Sequence, residues 1–151
     1  MKLHECLSEE TIVLGLRSRE KNEAIAEVAG PLRSVAAVTD FDALLGAVYA
    51  RERTGTTGIG GGVAIPHART DSVSSFVAAL GVAPKGVDFH AVDGEPVRLV
   101  ILMGIPTAKV KAYLRLLAHI SLLLKQPDLL ERLFGARTPK QLLDALAEHD
   151  A

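Results

Sequence analysis

The sequence predicts an α/β fold of the α+β kind, a three-layer sandwich in which a mixed β-sheet is flanked by helices. Helical patterns stand before and after a central group of strand patterns, which favours this arrangement over strictly repeated βαβ units. The chain has 151 residues, about the length of one domain, and 48% of them are hydrophobic, enough to form a sizeable core. We therefore expect a single domain spanning residues 1–151.

The first third of the chain predicts one strand and two helices. Residues 11–16 form the strand, Ser18 is placed to cap the first helix, and Gly30-Pro31 should end or kink it. The second helix begins after Asp40 as N-cap and runs to residues 51–53. The apolar positions with helical spacing are Ile25, Val28, Ala29 and Leu32 in the first, and Phe41, Leu44, Leu45, Val48 and Tyr49 in the second.

The remaining elements are two buried strands and a helical C-terminal third. The strands are predicted at residues 76–82 and 97–105, with a short extended piece and a turn at 86–94 between them. Pro127 and Pro139 mark the starts of the last two helices, and Thr138 has capping-box spacing. The long helix before them has an apolar face of Val110, Tyr113, Leu114, Leu117, Ile120 and Leu124, opposite a solvated face of Lys111, Arg115 and His119.

Composition excludes several classes of function. A net charge of −1 gives no attraction to nucleic acid, and the acidic N-terminal residues do not form a secretory signal. The most apolar segment, residues 97–105, is too short to span a bilayer. Cys6 is the single cysteine and is interpreted as a bystander, and His4, His90 and His149 lack metal-site spacing. We expect a cytoplasmic protein with no nucleic acid partner, no membrane insertion, no metal and no cofactor.

The least ordinary segment is residues 54–69, since five of the 13 glycines fall between positions 55 and 62. A P-loop is excluded because no lysine occurs between Lys21 and Lys85. The dinucleotide-binding pattern also fails, because Val63 and Ile65 stand where its third glycine would be. We expect the glycines to shape a cleft around a reactive side chain instead.

His67 is the candidate for that side chain. It follows Pro66 at the end of the strand-like residues 63–65, where a strand opening into a loop is a usual position for chemistry. A neutral imidazole can attack phosphorus and leave again, and arginine is well suited to neutralise the transferring oxygens. Arg51, Arg53 and Arg69 are close in sequence, so the segment predicts a phosphoryl carrier.

The same residues resemble a known family. The segments Arg51-Glu52, residues 56–60 and residues 62–69 are similar to the signature of mannitol/fructose-type enzyme IIA domains of the bacterial sugar phosphotransferase system, closest to its nitrogen-regulatory branch. The resemblance covers nearly the whole chain. It implies that His67 accepts a phosphoryl group from a phosphohistidine of HPr or its nitrogen-branch homologue, with Arg51 beside the ring.

Three further residues are tentative members of the site. Tyr113 stands where the family commonly has a second histidine; it could hydrogen-bond to a phosphoryl oxygen or simply pack in the core. Thr56 and Thr57 could hold phosphate or only turn the chain. Arg69 could line the cleft or contact a partner protein.

The resemblance leaves three functions open. A free-standing chain favours the nitrogen-regulatory form, which signals by phosphorylation-dependent binding of regulatory target proteins. The alternative is a fructose- or mannitol-specific component that passes phosphate to a permease component. A third reading is a binding module that carries no phosphate, like the similar cytoplasmic regions of anion transporters.

Overall fold

The computed structural model describes residues 2–150, which form a six-stranded open sheet and five α-helices. The strands are β1 (Ile12–Leu14), β2 (Gly58–Gly60), β3 (Val63–Ala64), β4 (His67–Arg69), β5 (Val77–Val87) and β6 (Val97–Ile105). The helices are α1 (Lys21–Ala29), α2 (Phe41–Arg53), α3 (Val110–Leu123), α4 (Pro127–Gly135) and α5 (Pro139–His149). Short 3₁₀ turns occupy Leu3–Cys6, Glu9–Thr11 and Gly30–Ser34.

The sheet is mixed, as predicted. Its order is β1-β5-β6-β3-β2, and β4 also pairs with β6. β5 and β6 are antiparallel, as are β2 and β3, whereas β1 runs parallel to β5, and β3 and β4 run parallel to β6. β3 and β4 therefore lie one after the other along β6, with Ile65 and Pro66 between them.

Two apolar cores on opposite faces of the sheet produce the three layers. One core joins the sheet to α3, α4 and α5, and the other joins it to α1 and α2. Alternate residues of β6 pack into the two cores: Leu99, Ile101 and Met103 belong to the first, and Val100 and Leu102 belong to the second. The predicted three-layer sandwich is confirmed.

Several predicted boundaries in the first half need correction. The predicted strand 11–16 is shorter as β1, and the strand predicted to end at Val82 continues to Val87 as β5. Glu20, not Ser18, caps α1: its carboxylate accepts from the backbone N–H groups of the first turn, while the Ser18 hydroxyl donates to Glu27. The break after Ala29 and the cap at Asp40 are confirmed.

The predicted apolar face of α3 is partly wrong. Leu116, Ile120 and Leu123 are buried at i, i+4, i+7 spacing, whereas Leu114 is 58% exposed and Val110 is 40% exposed. Leucines and other apolar residues occur all round this helix, so its sequence allows more than one buried face. The Pro127 and Pro139 helix starts and the Thr138 cap of α5 are confirmed.

His119 is not simply solvated, as the pattern predicted. Its Nε2 lies 2.6 Å from a carboxylate oxygen of Asp150, which is buried. The imidazole itself stays about half exposed. This hydrogen bond joins α3 to the end of α5, a long-range contact that local spacing does not reveal.

Candidate active site

His67 is the first residue of β4 and its side chain is buried. The sequence placed it in a loop after a strand; the structure places it where the strand resumes. Pro66 has no N–H to donate to a ladder, so pairing along β6 is interrupted between β3 and β4, although the Pro66 carbonyl still accepts from the Met103 N–H at 3.0 Å. The interruption turns the chain so that the His67 ring lies at the wall of a cavity.

This cavity, the His67 cleft, has a volume of about 470 Å³. Its lining residues come from α2, β4, the loop after β6, and α3; they are Ala47, Arg51, His67, Ala68, Arg69, Thr107 and Tyr113. The fold therefore brings together His67, Arg51, Arg69 and Tyr113, which the sequence singled out separately. Arg53, the third arginine near the motif, is not among the lining residues of this cleft.

One ring nitrogen of His67 is held by the backbone. Nδ1 lies 2.7 Å from the Ile65 carbonyl oxygen, which can only accept, so Nδ1 carries the proton and donates. Burial, and then the positive charge of Arg51, lower the pKa of His67 below its ordinary value; the Ile65 hydrogen bond and the Glu52 carboxylate oppose them without reversing the result. At neutral pH, Nε2 thus has a free lone pair.

Arg51 is oriented by the end of α2. Its Nη1 donates to the Gly55 carbonyl at 2.9 Å and to the Thr54 hydroxyl at 3.2 Å. A guanidinium has five N–H donors, so others remain for an anion in the cleft. No carboxylate pairs with Arg51 within residues 2–150.

Tyr113 lies between His67 and Arg69. Its ring centroid is 5.7 Å from that of His67, with a 46° angle between the planes, and 5.7 Å from the guanidinium carbon of Arg69. The ring also packs against the core on the α3 side of the sheet. Both uses of Tyr113 that the sequence left open are compatible with this position.

The structure places Thr56 and Thr57 beside the cleft rather than on its wall. The Thr57 hydroxyl donates to Glu52 at 2.5 Å and its backbone N–H donates to the same carboxylate at 2.9 Å. The Thr56 hydroxyl donates to the Phe89 carbonyl at 2.6 Å. Their phosphate-binding role stays a prediction, and it requires these hydroxyls to exchange partners.

Two residues near the cleft were missed by the sequence analysis. Glu52 is buried behind Arg51, and its carboxylate fixes Thr57 and pairs with Lys21 at 3.2 Å. A glutamate next to the site arginine was visible in the sequence, but nothing local showed that it is buried. Thr107 lines the cleft and donates to Asp71, 36 residues earlier in the chain, a contact with no local signal.

The glycines are not on the wall of the cleft, although the prediction gave them the role of shaping it; the Gly55 carbonyl acts there only by orienting Arg51. Gly60, Gly61 and Gly62 have φ values of 95°, 66° and 81°, and they form the turn between β2 and β3. Residues with a Cβ rarely adopt such values, so the turn itself requires glycine. The cleft lining has no member of this turn.

The described part of the chain shows neither a metal-binding cluster nor a membrane-spanning helix. Within residues 2–150, no three histidine, cysteine or acidic side chains are grouped closely enough to hold a metal ion. Over the same range, none of the helices combines the length and the apolar character needed to cross a bilayer.

Comparison with known proteins decides the family. Residues 5–149 match the family described as "Phosphoenolpyruvate-dependent sugar phosphotransferase system, EIIA 2". The chain belongs to this EIIA family. Its members include sugar-specific and nitrogen-regulatory proteins, and EIIA components take part in the phosphotransferase system as carriers of phosphoryl groups.

Two relatives of this chain are named as fructose-specific components of the phosphotransferase system. The chain is 34% identical over 150 residues to the fructose-specific EIIABC component of Bacillus subtilis, covering 99% of this chain but only 24% of that protein's length. It is 39% identical over 111 residues to the fructose-specific EIIA component of Haloferax volcanii, covering 74% of this chain and 72% of the relative.

One solved structure that resembles this chain is of a nitrogen regulatory protein. The crystal structure of the nitrogen regulatory protein IIA-Ntr from Neisseria meningitidis superposes with a TM-score of 0.88 at 27% identity. The match covers 95% of this chain and 98% of that one. The EIIA fold expected from the sequence is thereby confirmed.

Proposed function

We propose that this EIIA chain is a cytoplasmic phosphoryl carrier that accepts its phosphoryl group on Nε2 of His67. The observation that carries this proposal is the 2.7 Å contact of Nδ1 with the Ile65 carbonyl, which leaves Nε2 as the nucleophile inside an arginine-lined cleft. The Nε2 lone pair forms the new N–P bond while the N–P bond of a donor phosphohistidine breaks. The donor imidazole leaves with that electron pair.

The surroundings of the ring support each stage of this transfer. As Nε2 bonds to phosphorus the ring gains positive character, and the Ile65 carbonyl stabilises it through Nδ1–H. Arg51 faces the phosphoryl oxygens with no competing carboxylate among the cleft-lining residues, and Arg69 adds a second positive charge across Tyr113. The donor is proposed to be HPr or its nitrogen-branch homologue.

The expected regulatory role draws support from the likeness to a nitrogen regulatory protein at a TM-score of 0.88. In this role the phosphorylated and free forms bind different target proteins. A second candidate is a sugar-specific component that passes the group to a permease component, and the 39% and 34% identities to fructose-specific proteins favour it. Both candidates need the same carrier chemistry at His67.

The carrier chemistry is tested by phosphorylation in vitro. The chain is incubated with phosphoenolpyruvate, enzyme I and HPr, and its mass is measured under alkaline conditions that preserve phosphohistidine. We expect a gain of one phosphoryl group, complete loss of labelling in His67→Ala, and retention in the histidine control His119→Ala, with circular dichroism to check folding. Labelling that survives in folded His67→Ala would overturn the proposal.

The two candidates are separated by what the phosphorylated chain does next. Sustained sugar phosphorylation when it is combined with a matching permease component would show the sugar-specific role. Capture of a target protein by only one of the two forms would show the regulatory role. Binding that is identical for the free and phosphorylated forms would instead favour a module that carries no signal through His67.

A further inference from the structure

A second cavity, the Lys21 cavity, lies on the other side of the last turn of α2. Its volume is about 460 Å³. It is lined by Arg19, Glu20, Lys21, Asn22, Tyr49, Glu52, Arg53, Asp88 and His90. The proposed transfer at His67 does not take place in this cavity, although the Glu52 carboxylate on its wall acts on the pKa of His67.

The geometry of α2 explains why two cavities share one helical turn. Successive residues of an α-helix are about 100° apart, so Arg51 and Arg53 point in nearly opposite directions. Arg51 lines the His67 cleft and Arg53 lines the Lys21 cavity. Glu52 is buried between them, with 3% of its side chain exposed.

The cations of the Lys21 cavity have unused hydrogen-bond donors. Lys21 is largely buried, with 18% of its side chain exposed, and within residues 2–150 its ammonium has Glu52 as its one acceptor. The ammonium also lies 5.8 Å from the centroid of the Phe89 ring. Because an ammonium has three N–H donors, donors still remain for a ligand. The guanidinium groups of Arg19 and Arg53 have no hydrogen-bond or ion-pair partner in the same range.

The acids of the cavity, in contrast, already accept hydrogen bonds from the protein. Glu20 accepts from the N–H groups of Asn22 and Glu23 at the start of α1. Asp88 accepts from the His90 N–H at 3.0 Å, and its carboxylate lies 3.7 Å from the His90 ring. Glu52 accepts two bonds from Thr57 as well as the one from Lys21.

We propose that the Lys21 cavity binds a small polyanionic metabolite, whose phosphate or carboxylate oxygens accept from Lys21, Arg19 and Arg53. Formal charges nearly balance in the cavity, but its uncommitted groups are donors, and these select an acceptor-rich ligand. The volume is within the usual range for small-molecule sites. Arginine and lysine together match either a phosphate ester or a polycarboxylate.

Such a ligand would also affect the His67 cleft. Glu52 contacts Lys21 on one side and Thr57 on the other, and it directly follows Arg51 in α2. An anion that accepts from the other donors of Lys21 weakens the attraction of that ammonium for the Glu52 carboxylate. The site is therefore an effector site whose occupancy changes the carboxylate that lies behind Arg51.

The binding step is tested by NMR on the full-length His67→Ala chain labelled with ¹⁵N, so that the result does not depend on phosphorylation. Inorganic phosphate and citrate are titrated separately at constant ionic strength, with sodium chloride as reference. We expect saturable shifts of the Lys21, Asn22 and Arg53 amides, with a dissociation constant of about 1 mM or tighter for at least one probe. The probe that binds more tightly shows whether the cavity prefers a phosphate or a carboxylate group.

Charge-matched variants localise the site. Arg19 and Arg53 are exposed and unpartnered, so Arg19→Gln/Arg53→Gln should fold normally and weaken binding at least tenfold. The control Arg17→Gln/Arg137→Gln removes the same charge outside the cavity and should leave binding unchanged. Equal weakening in both double variants, shifts that merely follow ionic strength, or shifts confined to Ala68 and Tyr113 would each overturn the proposal.

The effector step rests on the proposed carrier function and is measured separately. With His67 intact, the tighter probe should change the rate of phosphoryl acceptance at least twofold, and the Arg19→Gln/Arg53→Gln chain should show no such change. Binding without any rate change would overturn the coupling while leaving the binding site established. Absence of phosphorylation with or without the probe would instead contradict the carrier function.

Discussion

The two cavities beside the last turn of α2 have nearly the same volume, but one is lined by positive charge alone and the other by charges of both signs. The His67 cleft has two arginines and no acidic residue among its lining residues. The Lys21 cavity has three cations and three carboxylates, and those carboxylates already accept protein hydrogen bonds. Excess positive charge around a buried imidazole suits a phosphoryl group that arrives and departs. In the Lys21 cavity the charges balance, so an anion would be selected by the uncommitted N–H donors and not by the net charge.

The sharpest test of this difference compares the two arginines of one helical turn. Arg51→Gln should slow phosphoryl acceptance by about 10²–10³-fold, the usual loss when one preorganised donor to a developing charge is removed. Arg53→Gln removes the same charge two residues away and should leave the rate, without added anions, within about twofold. Single-turnover transfer from phosphorylated HPr measures both. Equal losses would mean that overall charge, not the cleft, controls transfer.

Glu52 separates the cavities, and its removal should have the next largest effect. Glu52→Ala leaves the Lys21 ammonium and the Thr57 N–H without their partner. We expect a loss of about 3 kcal/mol in the free energy of unfolding, at the low end for a broken buried pair because Lys21 retains some access to water. Urea denaturation measures this loss.

The conservative variant separates a structural role from a role of charge. Glu52→Gln keeps an acceptor for Thr57 and should recover part of the lost stability. If Glu52→Ala were as stable as the parent chain, the contacts of this carboxylate with Lys21 and Thr57 would not stabilise the fold.

The contrast also shows what a sequence can reveal. His67 and Arg51 were found because the chemistry of the cleft needs particular residue types in a local motif. The Lys21 cavity was not found, because its parts come from the start of α1, the end of α2 and the segment after β5. Glu52 was seen only as a neighbour of Arg51 in the motif at the end of the second helix, since its burial and its pair with Lys21, 31 residues away, leave no local pattern.

The same difference between local and long-range signals applies to the secondary structure. Caps and breakers at Asp40, Gly30-Pro31 and Pro139 act within one turn, and they were predicted correctly. The buried face of α3 was mispredicted because leucines on several sides leave the choice to packing against the sheet. The pair between His119 and Asp150 likewise depends on how α5 returns to α3.

Substitution of Tyr113 should have a smaller effect on the rate of phosphoryl transfer, confined to the His67 cleft. Tyr113→Phe keeps the ring against the core but removes the hydroxyl, so transfer should slow by about two- to tenfold, the value of one hydrogen bond. Stability should change little. A rate equal to that of the parent chain would show that Tyr113 only packs. In either case, anion binding in the Lys21 cavity should be unaffected.

The smallest expected effect is a shift of the His67 titration. Burial and Arg51 disfavour the imidazolium, so the pKa of His67 lies below the ordinary value of about 6.5. Protonated Nε2 cannot attack phosphorus; the neutral, reactive form therefore persists below pH 6.5. The Cε1–H signal of His67, assigned by its loss in His67→Gln, should have its midpoint below that pH, and Arg51→Gln should move the midpoint upward. An unmoved midpoint would mean that burial alone sets the pKa.

The lowered pKa of His67 also makes the free energy of unfolding decrease as the pH falls below about 6.5. In the unfolded chain His67 binds a proton near its ordinary pKa, whereas in the folded chain it binds one only at lower pH. The unfolded state thus holds more protons as the pH falls below about 6.5, so the folded state loses stability until the lower, folded-state pKa is passed. Urea denaturation at pH 7.5 and pH 5.5 should show a smaller difference for His67→Gln than for the parent chain. An equal difference would assign the acid sensitivity to groups outside the His67 cleft.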